Sequence, residues 1–337
     1  MFSFVVGDTT GRALGTLDAL VEQVVWRKNG VGQVTARVPR RDVAKYGDLL
    51  RFGAAALLQF DNGLPDWGGI LDTPRQWEDG TISINGYSGE RLLALRQTGR
   101  SEVYMGASAG KIFRDVIVNA NNTAPTGLEV GSVWYGGELY DQDYHYKELL
   151  AVANELVEFT GGDFFVTPSL VNGRITFTAH FAQRRGRDHT NLSLVDGRNV
   201  TKASLNEQGT IINLWHVAGS GNTWGASRPV ADRSNLSSMG QYRRREGSSI
   251  NSSVSSTAVL GALGDQLLAG SAEPVRALTL EVLNSFPARF SEYDVGDSLE
   301  AYVPRFGFDG FTGRVQVFGR EYMPQAGVCN LLVGETE

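Results

Sequence analysis

Over its first hundred residues the chain alternates apolar and polar positions with a period of two. Val34, Ala36 and Val38 fall on one side of an extended backbone and their polar neighbours on the other, which predicts a half-buried strand. An apolar run at 54–60 is closed by the turn Asp61-Asn62-Gly63, and Trp67-Gly68-Gly69-Ile70-Leu71 begins the next strand. Asp79-Gly80 then separates it from Thr81-Ile82-Ser83-Ile84, where the alternation returns. Short strands at this spacing predict a small barrel or sandwich, closed by a helical patch at 89–96.

The period changes near residue 100. Ile112, Phe113, Val116, Ile117 and Ala120 share one helical face, with Ser108 as N-cap and Asn121 as stop. Leu149, Val152, Ala153 and Leu156 mark a second helix, ended by Gly161-Gly162. Segments 163–167 and 174–178, with Asn172-Gly173 near the turn, predict a hairpin. Strand character returns at 211–217. Residues 219–257 are then rich in Ser, Gly, Asn and Arg and poor in apolar residues, which predicts a long, mobile loop. A short helix carrying Val259, Leu260, Leu263 and Leu267 follows, and strands are predicted at 275–282, 298–303, 313–318 and 328–333.

Two regions echo each other. Gly47-Asp48-Leu49-Leu50 precedes Gly69-Ile70-Leu71 and the strand at 81–84. Gly296-Asp297-Ser298-Leu299 precedes Gly313-Arg314-Val315 and the strand at 328–332. Each set is a Gly-Asp turn entering a strand, a Gly-entered strand and a meander partner. The expected fold is mainly β with α+β. Two similar small β-barrels are expected at 1–99 and at 191–218 with 273–337, the second split by an insertion. An α+β domain occupies 100–190, and a Ser/Gly-rich insertion with a short helix occupies 219–272. Three copies of such a chain would present six similar positions, so a homotrimer could match a sixfold tube.

Composition narrows the function classes. A length of 337 residues fits roughly two to four domains. The 42% hydrophobic and 20% charged content is globular rather than disordered. A net charge of −6 argues against a dedicated nucleic-acid binder. The single cysteine, Cys329, excludes an intrachain disulfide and a Cys-based zinc site, and reads as a small buried residue. The opening Met-Phe-Ser-Phe-Val-Val-Gly-Asp has no basic leader, and no run approaches the ~20 apolar residues of a membrane span. The expectation is a chain made in a cytoplasm and without a membrane span.

Several motifs invite chemistry. Gly106-Ala107-Ser108-Ala109-Gly110 matches the Gly-x-Ser-x-Gly nucleophile pattern, with His145, His180, His189 and His216 downstream. Ser108 as a helix cap explains the same residues, and repeated βα units are lacking. His180 and His189, with Asp188, lack a third metal ligand at a recognised spacing. The glycine-rich stretch 219–225 has the wrong spacing for a dinucleotide loop. Carboxylates at Glu78-Asp79, at Glu138, Asp141 and Asp143, and at Asp294 and Asp297 suit turns. A glycosidase would need two of them facing each other. Trp67, Trp77, Trp134 and Trp215 could stack on sugars but suit a core or an interface. No catalytic, cofactor-binding or metal site is therefore expected. The candidate interface residues are Arg243, Arg244 and Arg245, with Trp224, Arg184 and Arg185, because arginine forms bidentate contacts with acidic neighbours.

Gly47-Asp48-Leu49-Leu50, Asp66-Trp67-Gly68-Gly69-Ile70 and Ile84-Asn85-Gly86-Tyr87-Ser88-Gly89-Glu90-Arg91-Leu92-Leu93 resemble the N-terminal barrel of phage tail-hub proteins. These are the minor tail or baseplate-hub proteins of siphophages and related contractile systems. Tyr293-Asp294-Val295-Gly296-Asp297 resembles their second barrel. The resemblance implies a non-enzymatic homotrimer at the virion tail tip, forming a pseudo-sixfold ring that continues the tail channel. Its implied partners are the distal tail ring protein, the tape-measure protein and a tail fibre or tip protein, with transient passage of DNA and no cofactor. Because the sequence stops just after the second barrel, tip or lytic functions are expected in another protein or in a part absent here. The alternatives are a tail-associated cell-wall or glycan hydrolase using Ser108, and a carbohydrate-binding receptor-contact module.

Overall fold

The computed structural model describes residues 2–47, 50–72, 76–208, 210–221, 228–252, 254–304 and 311–335. The first part of the chain supplies β1 (Phe2–Gly7), β2 (Ala13–Leu17), β3 (Leu20–Arg27), β4 (Gln33–Val38), α1 (Arg40–Tyr46), β5 (Ala55–Phe60), β6 (Trp67–Leu71), β7 (Gln76–Glu78), β8 (Thr81–Ser88) and α2 (Arg91–Ala94). The middle supplies β9 (Glu102–Ser108), α3 (Ala109–Thr123), β10 (Leu128–Val133), β11 (Leu139–Tyr144), α4 (Leu149–Thr160), β12 (Asp163–Val171) and β13 (Arg174–Ala182). Then come β14 (Asp188–Val195), β15 (Val200–Gln208), β16 (Leu214–Ala218), β17 (Val230–Ser234), α5 (Leu236–Tyr242), β18 (Glu246–Ile250), α6 (Thr257–Ser271), β19 (Val275–Leu283), β20 (Ser298–Val303), β21 (Phe311–Met323) and β22 (Val328–Glu335).

Fourteen of these strands form one sheet, whose main path runs β15-β19-β22-β21-β3-β4-β8-β6-β5-β1-β2. Strand β20 also pairs with β21, β14 with β20, and β7 with β8. The two ends of the chain meet where β21 pairs with β3, Gly319 opposite Arg27 and Tyr322 opposite Val24. A single core runs under both halves, from Phe4, Val34, Trp67 and Ile82 to Phe290, Leu299, Val317 and Leu331. The alternation read from the sequence is the cause. In β4 and β8 every second residue is buried, so each strand offers one apolar face to that core. The mainly β architecture with an α+β part is present as expected.

The echoed segments have matching pairings. β5, β6 and β8 form an antiparallel meander, and so do β20, β21 and β22. Their entries differ. Gly47 ends α1, and Asp48 and Leu49 lie outside the described residues, whereas Gly296 and Asp297 run straight into β20. Gly296 has φ +96° and a Cβ there would stand 2.5 Å from the Arg185 carbonyl oxygen, so only glycine fits.

Helices α3 and α4 pack on the small sheet β10-β13-β12 and on the two-stranded ribbon β9-β11 to make a second core. Ile112, Phe113, Val116, Ile117 and Ala120 are all buried on α3, as their spacing predicts. The hairpin is longer than predicted, with Val171 opposite Arg174, and turns on Asn172 and Gly173 at φ +51° and +74°. Two positive-φ residues in a two-residue loop match the twist of the flanking strands.

Two expectations need correction. The strand expected at 211–217 belongs, on the sequence pattern, to the second barrel, yet among the described residues β16 pairs only with β17 and β18, in a separate three-stranded sheet. The reason is local burial. Val217 packs with Ala231, Val254, Leu260 and Leu263 in a third small core, and alternation along a strand does not say which sheet it joins. The supposed loop at 219–257 likewise holds β17, α5 and β18, with α6 laid over them. Its low apolar content reflects short strands with one solvated face. Residues 222–227, including Trp224, lie outside the described residues. No helix among the described residues is long and apolar enough to cross a membrane.

Candidate interface surfaces

Buried polar side chains fasten the α+β part to the large sheet. Asp163, at the start of β12, is only 1% exposed. Its carboxylate accepts from Asn29 Nδ2 at 2.7 Å and from the Arg185 backbone N–H at 2.7 Å, and it pairs with Lys28 Nζ at 3.1 Å. Asn29 Oδ1 in turn accepts from the Phe164 N–H at 2.9 Å. Glu90 is buried after β8 and accepts from the Val166 N–H at 2.9 Å and from Ser88 Oγ at 2.5 Å. Burial pushes its carboxyl above the usual glutamate range, opposed by those two bonds. Asp297 accepts from the Arg187 N–H and the Asp294 N–H at 2.8 Å, and pairs with His189 Nε2 at 2.9 Å.

A groove follows this seam. One part, of ≈ 90 Å³, is lined by Trp67, Glu90, Pro168 and Arg185; the other, of ≈ 170 Å³, is lined by Arg187, Glu292 and Asp297. They share Pro65 and Asp294. Both fall below the ~300–1,000 Å³ of ordinary small-molecule sites. The groove is a joint between parts of the chain.

Arg184 and Arg185 belong to that joint. Arg184 makes a bidentate pair with Asp188 at 2.5 and 3.0 Å and also donates to Ser298 Oγ at 2.9 Å. The Arg185 guanidinium lies 5.0 Å from the Phe165 ring centroid and 3.6 Å from Asp294. Both guanidinium groups are engaged within the chain.

Arg243, Arg244 and Arg245 are exposed and sit between α5 and β18. Their backbone is held by Asn213, which is fully buried. Asn213 Nδ2 donates to the Arg243 carbonyl at 2.8 Å, and its Oδ1 accepts from the Arg245 N–H at 2.8 Å. The Asn213 N–H donates to the Arg245 carbonyl at 3.0 Å. Arg243 takes φ +65°, a conformation unusual for a residue with a Cβ. Arg244 pairs with Glu246 at 2.6 Å, while Arg243 and Arg245 form no ion pair among the described residues. The result is a basic arm whose backbone is fixed and whose charges face outward.

The candidate chemistry resolves into ordinary structure. Ser108 is buried, caps α3 and accepts from the Lys111 N–H at 3.3 Å. No histidine hydrogen-bonds to it among the described residues. His145 contacts Asp143, His180 contacts Ser132 and Thr167, His189 contacts Asp297, and His216 contacts Asp232. His180 and His189 thus have separate partners, and no cluster of three metal-ligating side chains occurs among the described residues. Trp67 is buried and donates to the Val25 carbonyl; Trp215 donates to Ser271 Oγ; Trp77 is exposed.

No protein-family model and no curated protein matches the chain. Solved structures do match over the whole length. The tail protein from Neisseria meningitidis MC58 superposes with a TM-score of 0.66 at 12% identity, covering 100% of this chain and 97% of that one. The chain has the fold of phage tail proteins. The 43 kDa tail protein of prophage MuSo2 from Shewanella oneidensis gives 0.64 at 12% identity, covering 98% of both chains. Prophage tail protein gp18 from Listeria monocytogenes EGD-e gives 0.60 at 12% identity, covering 99% and 94%.

Proposed function

We propose that this chain is a structural hub of a phage-type tail, at the tip or baseplate, that assembles with copies of itself into a ring continuing the tail channel. The observation that carries this reading is end-to-end agreement with tail proteins in which neither chain has a large unmatched part. The paired meanders β5-β6-β8 and β20-β21-β22 support a duplicated unit, so three copies would give six similar positions around an axis. On this reading each half curls into one of two small barrels, and the α+β part and the insertion reach neighbours. Those neighbours are the distal tail ring, the tape-measure protein and a fibre or tip protein, with DNA passing through. The function is geometric. Buried polar contacts hold the parts in fixed relation, and no bond chemistry is assigned to Ser108. Native mass measurement of the purified chain, with electron microscopy of lysates from phage lacking it, tests the proposal. Trimers together with absent or incomplete tails are expected. A monomer at every concentration, with normal tails in the deletion, would refute it.

A further inference from the structure

The ribbon β9-β11 is incomplete as a surface. Its inner face is buried by Tyr104, Tyr140 and Tyr144 against the helices. Its outer face exposes Val103, Met105 and Leu139 at 60%, 75% and 62%. A long methionine and two aliphatic side chains that open on one small patch are uncommon on a surface that stays solvated. Neither outer edge of the ribbon pairs with another strand among the described residues. Gly106, at φ +56°, bulges beside Met105 and donates its N–H to Asp141 Oδ1 at 2.7 Å, fixing that carboxylate on the outer face. Glu138, just before β11, adds exposed negative charge, and Asp143, opposite Val103, is exposed with one carboxylate oxygen 3.0 Å from His145 Nε2. Neither strand contains Lys or Arg. Lys111, beside the ribbon, is paired with Asp115.

The arm at 236–245 is its complement. It carries Arg243, Arg244 and Arg245, has no acidic residue, and exposes Leu236 at 78%. Asn213 holds its backbone, so little conformational freedom would be lost on docking. Among the described residues, no hydrogen bond or ion pair within the chain joins the arm to Glu138, Asp141 or Asp143.

We infer that the arginine arm of one copy docks on the acidic, apolar face of the β9-β11 ribbon of a second copy. Arg243 and Arg245 would meet Glu138, Asp141 and Asp143, and Leu236 would cover Val103, Met105 and Leu139. Arm and ribbon are different patches of one chain, so the contact is head-to-tail. Such a contact closes into a ring if the rotation allows and otherwise grows as a filament. This inference rests on the reading that the chain assembles with copies of itself, and names the surface that does it.

The test is a charge-swap cycle on the full chain, read by sedimentation velocity. Arg243→Glu with Arg245→Glu should weaken self-association at least about tenfold, and so should Glu138→Lys with Asp143→Lys. The chain carrying all four changes should recover association, and an equimolar mixture of the two double variants should co-assemble with the two variants alternating, because each arm then meets a ribbon of opposite charge. All substituted side chains are exposed, and recovery in the fourfold variant separates lost docking from lost folding. Unchanged association in both double variants would overturn the docking and leave the hub reading standing. Weakened association without recovery would overturn the pairing of these two patches. A wild-type chain that never associates would overturn both.

Discussion

Asn29, at the turn between β3 and β4, donates from Nδ2 to the Asp163 carboxylate at 2.7 Å, across 134 residues of chain. Lys28 and the Arg185 N–H converge on the same carboxylate, so one buried charge ties the large sheet to the α+β part. Asp163→Ala should cost about 3 kcal/mol, because it leaves Asn29 Nδ2 and the Arg185 N–H without their acceptor and Lys28 without its counter-charge, with only Gln316 Oε1 still accepting from it. Urea denaturation measures this. A loss below about 0.5 kcal/mol, ordinary for a surface substitution, would show that Asp163 is not a fastening point.

Glu90 predicts a pH dependence. Burial raises its carboxyl pKa in the folded chain above that of the unfolded chain. As pH rises through the ordinary glutamate value of about 4.3, the unfolded chain releases this proton first, and folding stability declines until the folded group also ionises. The contribution is therefore complete in acid and is lost on the alkaline side. Glu90→Gln keeps an oxygen for the Val166 N–H and cannot ionise, so its stability should fall less than that of the wild type as pH rises above the ordinary glutamate value of about 4.3. Parallel slopes in thermal melts across that range would contradict the assignment.

Ser108→Ala removes a helix cap and should cost about 1 kcal/mol. Ester or peptidoglycan turnover, assayed beside the melting curves, should be the same for wild type and variant. Turnover present in the wild type and abolished in the variant would restore the nucleophile reading.

Asn213→Ala should free the arginine arm. The Arg243 carbonyl and the Arg245 N–H would lose their buried partner, at about 1–3 kcal/mol. The local loss should appear first as faster trypsin cleavage within 243–245, since exposed, unanchored backbone is what a protease needs. Cleavage at the wild-type rate would mean that Asn213 does not hold the arm.

Much of the fold was legible because it rests on short-range pattern. Alternation placed β4 and β8, the face of α3 was complete, and Ser108 and Asn172-Gly173 marked a cap and a turn from their own chemistry. Partnership between distant strands was harder to read. Nothing near Trp26 or Arg320 announces that β3 and β21 pair, and nothing in 211–217 tells that β16 leaves the large sheet. The candidate surfaces divide in the same way. Arginine clusters were visible, but whether they pair with acidic groups of the same chain, as Arg184 and Arg185 do, or form no ion pair among the described residues, as Arg243 and Arg245, depends on how the chain folds around them. Asp163, Glu90 and Asn213 were missed. Asn213 left a trace, as a lone amide between Ile211-Ile212 and Leu214-Trp215.

A reconstruction of the tail end from purified particles tests the central claim most directly. Threefold density around the channel, with each copy contributing two similar β units and its arginine arm toward the neighbouring ribbon, is the predicted result. A complete tail end with no density for this chain would contradict the account.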